Sequence, residues 1–237
     1  MKVVAFIPAR FASTRLPGKP LAKINGRPMI QWVYERVSKS RLIEDVTVAT
    51  DDERILRAVS AFGGKAVLTS GACGSGTERV AEASRNISAD IVVNVQGDEP
   101  LLPPELIDDC VREMISDSGI SISTPAVLIK TAGEFKDPNI VKVVMDKNGF
   151  AMYFSRSPIP YSEGRALSAY RHIGLYVYRK DVLLQLAKLP ESPLEKAERL
   201  EQLRALENGF RIKTVITSYN PVSVDTKEDL EKVRGMF

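Results

Sequence analysis

The chain has few of the residues that build cysteine and histidine sites. Its 237 residues include one histidine, His172, and two cysteines, Cys73 and Cys110. Two cysteines do not make a disulfide framework, and neither lies in a C-x-x-C or Cys/His spacing typical of zinc sites. The single histidine also excludes a histidine-rich metal site and a relay between two histidines.

Charge of one sign and long apolar runs are scarce as well. Lysine and arginine total 33 against 30 aspartates and glutamates, a formal net charge of +3. So small an excess gives no argument for a nucleic-acid or membrane partner. The apolar run at residues 3–8 is far too short to span a membrane and lacks the cleavage site of a signal peptide. We therefore expect a soluble cytoplasmic protein in a reducing compartment.

The remaining composition is typical of a globular chain. Hydrophobic residues make up 44% and charged residues 27% of the sequence, which excludes a collagen-like or largely disordered chain. In the first half, short apolar runs alternate with amphipathic segments, which predicts βαβ units around a parallel sheet. The predicted strands are residues 3–8, 46–50, 66–68 and 91–95, and the predicted helices are 28–40, 52–62, 76–86 and 105–116.

Strand patterns in the second half are more closely spaced and predict an antiparallel insertion. The predicted strands are residues 120–129, 140–145, 151–154, 173–178 and 213–217, and the predicted helices are 194–208 and 227–236. Since no linker rich in Pro, Gly or Ser divides the chain, we predict a single α/β domain over residues 1–237. It would contain a mainly parallel twisted sheet, helices on both faces and an inserted antiparallel β element.

A basic loop follows the first predicted strand. Arg10, Arg15 and Lys19 lie there within a dozen residues, together with a serine and a threonine. Ligands of open parallel sheets bind at the carboxyl ends of the strands, where cations and free backbone N–H groups favour polyphosphate. Pro20 follows Lys19, so the loop is not a Walker A motif. A phosphate cradle and a solvated basic loop are the two interpretations.

Two more loops follow strands at the same predicted edge. Gly74 and Gly76 permit close approach of the backbone to a ligand, and Ser75 or Thr77 would cap the next helix. After the strand at 91–95, Asp98 stands where a hard cation such as Mg²⁺ would meet a carboxylate and phosphate oxygens. A helix N-terminus and an acidic turn, respectively, are the plain alternatives.

Asp225 is a second candidate acid. Asp225, with Glu228 three residues later, fits a capping box at the start of the last helix. A carboxylate that caps with one oxygen can face a cation with the other. The basic loop, Asp98 and Asp225 together indicate Mg²⁺-dependent chemistry on a nucleoside triphosphate.

The inserted region holds further polar candidates. Arg156 lies between an aromatic strand end and a proline-rich turn, and a strand period of two places His172 and Tyr176 on one face. A lone histidine is more often structural than a ligand. The polar positions of the helix over 194–208 are typical of a solvated face; they are Glu195, Glu198, Glu201 and Gln202.

Seven of these segments, in this order, resemble the CMP-Kdo synthetases, the 3-deoxy-manno-octulosonate (Kdo) cytidylyltransferases of the nucleotide-diphospho-sugar transferase-like superfamily. The segments are residues 8–19, 75–79, 94–100, 153–160, 172–176, 200–204 and 224–226, which together extend over almost the whole chain. The resemblance implies that superfamily's Rossmann-like fold, a homodimer and dependence on Mg²⁺. The nucleotide-binding part would cover roughly residues 1–118, and an insert for sugar binding and dimerisation roughly residues 119–210.

The resemblance also implies a reaction and a site. The anomeric hydroxyl of Kdo would attack the α-phosphate of CTP, giving CMP-Kdo and pyrophosphate for lipopolysaccharide biosynthesis. Asp98 and Asp225 would hold Mg²⁺, while Arg15 and Lys19 would neutralise the departing pyrophosphate. The other nucleotide-binding residues would be Pro8, Ala9, Arg10, Ser75, Arg79 and Gln96. The sugar-binding residues would be Gln96, Arg156, Arg165, His172, Tyr176, Glu201 and Gln202.

Two segments depart from the family pattern. Gly71-Ala72-Cys73-Gly74 stands where members often carry a histidine and an acid, and residues 162–164 precede Arg165 where a second arginine is common. Glu163 in that loop would suit the ammonium of an 8-amino-8-deoxy analogue of Kdo. Other hypotheses are another 2-keto sugar acid such as a sialic acid, a sugar 1-phosphate, or a non-catalytic nucleotide-binding regulator.

Overall fold

The computed structural model describes residues 1–12, 16–161 and 168–237. The chain divides into two compact units, one formed by Met1–Asp108 with Pro221–Phe237 and the other by Asp109–Asn220. Within the described ranges, no helix combines the length and the apolar character needed to cross a membrane.

Four parallel strands form the sheet of the first unit. Its strand order is β5-β4-β1-β6, and the strands are β1 (Val3–Ala9), β4 (Asp45–Thr50), β5 (Ala66–Leu68) and β6 (Ile91–Asn94). β1 pairs with β4 on one side and with β6 on the other. Along the chain, β4 and then β5 are added on one side of β1, and β6 is then added on the other side. This reversal places a topological switch point at the carboxyl ends of β1 and β6, where open α/β sheets bind their ligands.

The predicted helices of the first unit are present. They are α1 (Met29–Val37), α2 (Glu53–Ala61), α3 (Gly76–Ser84), α4 (Pro104–Ser116), which contains the boundary between the units, and α9 (Lys227–Arg234). Asp52 caps α2 by accepting from the backbone of Arg54, and Ser75 caps α3 by accepting from Glu78. These caps satisfy backbone donors that the first helical turn leaves open.

A short hairpin in the first unit is a feature that the sequence interpretation did not include. Its strands are β2 (Lys23–Ile24) and β3 (Arg27–Pro28), joined by Asn25 and Gly26 with φ of 47° and 80°. Two central residues at positive φ are typical of a type I′ turn, for which Asn-Gly is the favoured sequence. A 3₁₀ turn at Lys19–Leu21 comes just before the hairpin.

The second unit is built around β7 (Ile122–Leu128). The other strands are β8 (Lys142–Met145), β9 (Ala151–Ser155), β10 (Tyr170–His172), β11 (Tyr176–Arg179) and β12 (Ile212–Thr217). β7 pairs antiparallel with β10 and β11 and parallel with β12, and β8 pairs antiparallel with both β10 and β9. The helices are α5 (Ala132–Lys136), α6 (Lys180–Leu186), α7 (Pro193–Glu198) and α8 (Gln202–Glu207). The predicted α/β class with an inserted antiparallel element is confirmed.

Three local predictions in this unit were wrong. The helix expected over 194–208 is two helices, because Arg199 adopts left-handed backbone angles (φ 55°) and ends α7. The strand expected over 173–178 is also broken, since His172 ends β10 and Tyr176 begins β11. His172 and Tyr176 therefore do not share one strand face by a period of two. Glu195 is not solvated either: it is buried in an ion pair with Arg204, with 2.6 Å between Oε1 and Nη2.

Candidate active site

A cavity of about 330 Å³ lies at the switch point of the first unit. Its walls include the end of β1, the loop that follows β6, the 3₁₀ turn and the segment before α9. Seven predicted site residues are among those that line it: Pro8, Ala9, Arg10, Lys19, Gln96, Asp98 and Asp225. The basic loop after β1, the loop that contains Gly76 and the segment around Asp225 thus meet the loop that carries Asp98.

Two glycines allow the cavity walls to approach one another. A Cβ atom at Gly97 would lie 3.2 Å from the carbonyl oxygen of Pro8, and one at Gly76 would lie 3.3 Å from the Pro8 ring. Contacts this short force a neighbour to move. The sequence interpretation missed Gly97, although its place between Gln96 and Asp98 at a strand end was a usable signal.

Lys19 joins the two candidate acids. Its Nζ donates to Oδ2 of Asp98 at 2.6 Å and to Oδ1 of Asp225 at 3.1 Å. Burial of the ammonium would lower the pKa of Lys19, but the charges and hydrogen bonds of Asp98 and Asp225 outweigh it, and the pKa is raised. Lys19 is therefore a fixed cation at the edge of a cavity that also contains Arg10.

The capping prediction for Asp225 was wrong by one residue. Thr226 is the N-cap of α9, and its capping-box partner is Asp229 rather than Glu228. The backbone N–H of Val224 donates to the carbonyl of Asp98 at 2.9 Å, which ties the segment before α9 to the loop after β6. Because Thr226 caps the helix, the Asp225 carboxylate is turned to Lys19 instead.

The donor set at this point suits Mg²⁺. Two carboxylates from distant parts of the chain converge on a single cation, which here is Lys19 Nζ. No cluster of three His, Cys, Asp or Glu with metal-site geometry occurs in the described part of the chain. Mg²⁺ commonly takes one or two carboxylates and completes its shell with phosphate oxygens and water. Asp98 and Asp225 thus match a metal that arrives with a triphosphate.

Two predicted nucleotide contacts, Arg79 and Ser75, are not among the residues that line the cavity. Arg79 is fully buried, and its guanidinium donates to Thr69 Oγ1 at 2.5 Å and to Asp51 Oδ2 at 2.8 Å. Thr69 directly follows β5 and Asp51 directly follows β4, so Arg79 connects the ends of two neighbouring strands by hydrogen bonds. Ser75 Oγ accepts from the backbone of Glu78 at 3.1 Å. The nucleotide-binding roles of Arg79 and Ser75 stay predictions. Two other predicted site residues, Arg15 and Arg165, lie outside the described residues.

In the second unit, His172 is held as a neutral ring. Thr124 Oγ1 lies 2.9 Å from His172 Nε2, and also 2.7 Å from the carbonyl oxygen of Leu175. The one hydroxyl proton serves that carbonyl, so Nε2 is the donor to Thr124 and Nδ1 is left as an acceptor. Burial, with a smaller effect of Arg171, lowers the pKa of His172 to about 3. No spacing in the sequence pointed to Thr124.

Tyr176 and the start of α8 lie close to this histidine. The rings of His172 and Tyr176 are 5.2 Å apart between centroids. Burial, then Tyr178 and Glu201, raise the pKa of Tyr176 well above its ordinary value. Glu201 is the N-cap residue of α8, and the next residue, Gln202, is buried with an amide nitrogen that has no partner among the described groups. The structure therefore brings together three of the predicted sugar contacts, His172, Tyr176 and Glu201, and Gln202 follows Glu201 in the chain.

Arg156 contacts the turn between α7 and α8. Its Nε donates to the carbonyl of Glu198 at 2.9 Å, Nη2 to that of Arg199 at 3.5 Å, and Nη1 to that of Pro138 at 3.0 Å. Each acceptor is a neutral carbonyl oxygen. The contacts therefore orient the guanidinium without cancelling its charge.

A parallel α/β unit with a lysine and paired carboxylates at its switch point is typical of nucleotide-binding proteins. A family model described as "Cytidylyltransferase" matches residues 4–214. The chain belongs to this family of nucleotidyltransferases, which confirms the predicted enzyme class.

The comparison with individual proteins agrees. The 3-deoxy-manno-octulosonate cytidylyltransferase of Geobacter metallireducens is 52% identical over 246 residues, covering 98% of this chain and 96% of that protein. A solved CMP:2-keto-3-deoxy-manno-octonic acid synthetase complexed with CTP is 45% identical, with a TM-score of 0.96 over 100% of this chain and 98% of the other. The predicted resemblance is confirmed. A 4-diphosphocytidyl-2C-methyl-D-erythritol synthase from Anaerococcus prevotii shares the fold at 14% identity and a TM-score of 0.66, covering 99% and 97% of the two chains.

Proposed function

We propose that this protein activates Kdo, transferring CMP from CTP to the sugar acid with release of pyrophosphate. The observation that carries the proposal is the convergence of Asp98 and Asp225 on Lys19 beside a cavity at the switch point. The relatives named for this activity, similar over nearly the whole chain, support the choice of substrates. We further propose that the enzyme works as a cytoplasmic homodimer in lipopolysaccharide biosynthesis.

The residues of the first unit bind the nucleotide in this proposal. The backbone of Pro8, Ala9 and Arg10, together with Gln96, surrounds CTP, with Ser75 and Arg79 supporting the wall. Lys19 and Arg15 contact the phosphates. The anomeric hydroxyl of Kdo attacks the α-phosphorus and gives up its proton to solvent water. The bond from that phosphorus to the bridging oxygen breaks, its electron pair stays on that oxygen, and pyrophosphate leaves. Lys19 lowers the barrier because its positive charge is already in place where negative charge grows.

Asp98 and Asp225 would hold Mg²⁺ in this enzyme. The metal, when bound, supplies Lewis-acid stabilisation of the phosphate charge. The carboxylates also keep Lys19 protonated, as its raised pKa indicates. A protonated lysine at this position screens two acids that would otherwise repel a triphosphate.

The second unit supplies the sugar contacts in this proposal. Arg156 and Arg165 bind the carboxylate of Kdo, and Glu201 and Gln202 bind hydroxyls. His172 Nδ1 accepts a hydrogen bond from a sugar hydroxyl, because Nε2 already donates to Thr124. Tyr176 contacts the same region through its buried hydroxyl.

Pyrophosphate release tests the proposal directly. Protein is incubated with CTP and Mg²⁺, and with Kdo, 8-amino-Kdo, sialic acid or glucose 1-phosphate in parallel. Release with Kdo, at a kcat/KM above that with the other acceptors, supports the proposed substrate. Release only with another acceptor assigns that acceptor instead, and no release from folded protein overturns the activity.

A further inference from the structure

The break between α7 and α8 creates a binding position for a guanidinium. Arg199 ends α7 at φ 55°, a strained conformation for a residue other than glycine. The last carbonyls of a helix have no partner within it and attract a cation. Arg156 occupies this position, with Nε on the carbonyl of Glu198 and Nη2 on that of Arg199.

The side chain of Arg156 retains unused binding capacity. A guanidinium has five N–H donors, and three of them serve the carbonyls of Glu198, Arg199 and Pro138. Among the described residues, one donor on each terminal nitrogen has no partner, and the three carbonyls do not neutralise the charge of the guanidinium. A planar pair of donors in a fixed direction is the geometry that binds a carboxylate in bidentate fashion.

The carboxylate of Glu198 fixes the chain segment that carries this arginine. Its Oε2 accepts from the backbone N–H of Arg156 at 2.9 Å, and Oε1 accepts from Ser155 Oγ at 2.5 Å. The hydroxyl of Tyr153 adds a longer contact of 3.5 Å to the same oxygen. Glu198 thus holds Arg156 twice, by its side chain at the backbone N–H and by its own carbonyl at Nε.

Lys142 restrains the other side of the same segment. It is fully buried, and its Nζ donates to the carbonyl of Arg156 at 2.5 Å, that of Ile140 at 2.6 Å and that of Asp137 at 3.0 Å. Pro138, whose carbonyl accepts from Arg156, lies within this loop. The backbone of Arg156 is therefore fixed from both sides, which reduces the entropy lost when its side chain binds an anion.

We propose that Glu198 is a positioning residue for substrate recognition: it holds Arg156 so that the two free N–H groups bind the carboxylate of the sugar-acid substrate. This inference rests on the proposed function, in which Arg156 contacts that carboxylate. Glu198 does not touch the substrate and acts through Arg156.

Steady-state kinetics of variants at residue 198 test the role. Glu198→Ala should raise KM for Kdo about tenfold or more, because a displaced Arg156 loses charge-assisted hydrogen bonds to the sugar carboxylate. KM for CTP should stay within about twofold, since only binding of the sugar is affected. Glu198→Gln should recover much of the affinity, because an amide oxygen can accept from Arg156 while its nitrogen donates to Ser155. Ser155→Ala, a milder change, should raise the same KM by a smaller factor.

Glu195→Gln is the matched control on the same helix. It weakens the buried pair with Arg204 and lowers thermal stability, but should leave KM for Kdo within about twofold. A rise in this KM equal to that of Glu198→Ala would show that loss of stability alone explains the effect, and would overturn the inference.

A double-variant cycle decides whether Glu198 acts through Arg156. Arg156→Ala should raise KM for Kdo, and adding Glu198→Ala should raise it little further, because the arginine to be positioned is gone. Fully additive effects, or an unchanged KM in Arg156→Ala, overturn the inference while CMP-Kdo formation stands. Failure of the wild type to release pyrophosphate with CTP and Kdo would instead overturn the proposed function.

Discussion

Lys19 Nζ lies 2.6 Å from Oδ2 of Asp98, although 79 residues separate them in the chain. The contact joins the loop after β1 to the loop after β6. These two strands are neighbours in the sheet and flank the switch point. It gives one half-buried lysine two tasks, to hold the carboxylates in place and to present positive charge to the cavity. Variants at Asp98 and at Lys19 separate these tasks.

Replacing Asp98 tests its part in the chemistry. Asp98→Asn keeps the size of the side chain but removes the charge proposed to hold the metal, so kcat should fall at least about a hundredfold. CTP binding, measured by equilibrium dialysis, should persist in part, because base and ribose contacts are retained. Glu105→Gln, an exposed acid at the start of α4, is the control and should keep wild-type turnover. Wild-type turnover in Asp98→Asn would contradict the metal assignment.

Replacing Lys19 tests the stabilisation of phosphate charge. Lys19→Ala should lower kcat/KM about a hundredfold or more, the typical loss for one pre-positioned donor. The two acids would then lack their shared cation, so a higher Mg²⁺ concentration should restore part of the rate. The measurement is kcat/KM for CTP across a Mg²⁺ titration, with Lys23→Ala from the exposed hairpin as the control. A change of only a few-fold would contradict the phosphate role.

The sequence predicted the strands that carry the site because buried parallel strands are continuous apolar runs. Asp98 could be placed at the ligand edge by that rule alone. Asp225 could not, since it lies 206 residues from Lys19 and no local pattern brings the two together. The sequence offered it only as a helix-capping acid able to face a cation, and the family resemblance placed it beside Asp98. The break at Arg199 was missed because a non-glycine residue at positive φ leaves no signal, whereas Asn25-Gly26 was a usable hairpin signal.

A side chain at Gly97 is expected to destabilise the protein. In Gly97→Ala the new Cβ would lie 3.2 Å from the carbonyl oxygen of Pro8, a residue of β1 that is held in the sheet by its pairing with Ala49 of β4. We expect the free energy of unfolding to fall by about 1–3 kcal/mol, with lower activity because Asp98 shifts with its neighbour. Urea unfolding and pyrophosphate release measure the two effects. Gly71→Ala, with open space around its Cβ, is the control, and equal stability of both variants would contradict the close-approach argument.

His172 should make the protein less stable in mild acid. Its pKa is about 3 in the folded protein against 6.5 for the free side chain, so between these values only the unfolded chain binds the proton. The free energy of unfolding should therefore fall as pH decreases below about 6.5, by up to about 1.4 kcal/mol per pH unit from this group. Urea unfolding at several pH values between about 7 and 5 measures the slope.

His172→Gln isolates that contribution, because glutamine can still donate to Thr124 but does not titrate. Since the sequence contains one histidine, no other imidazole contributes in this pH range, and most carboxylates titrate below it. The variant should show a clearly flatter slope than the wild type between about pH 6.5 and 5. Tyr176→Phe, a change at the neighbouring ring, should keep the wild-type slope. Parallel slopes for wild type and His172→Gln would mean that the folded protein accepts the proton on His172, and the neutral ring bonded to Thr124 would be wrong.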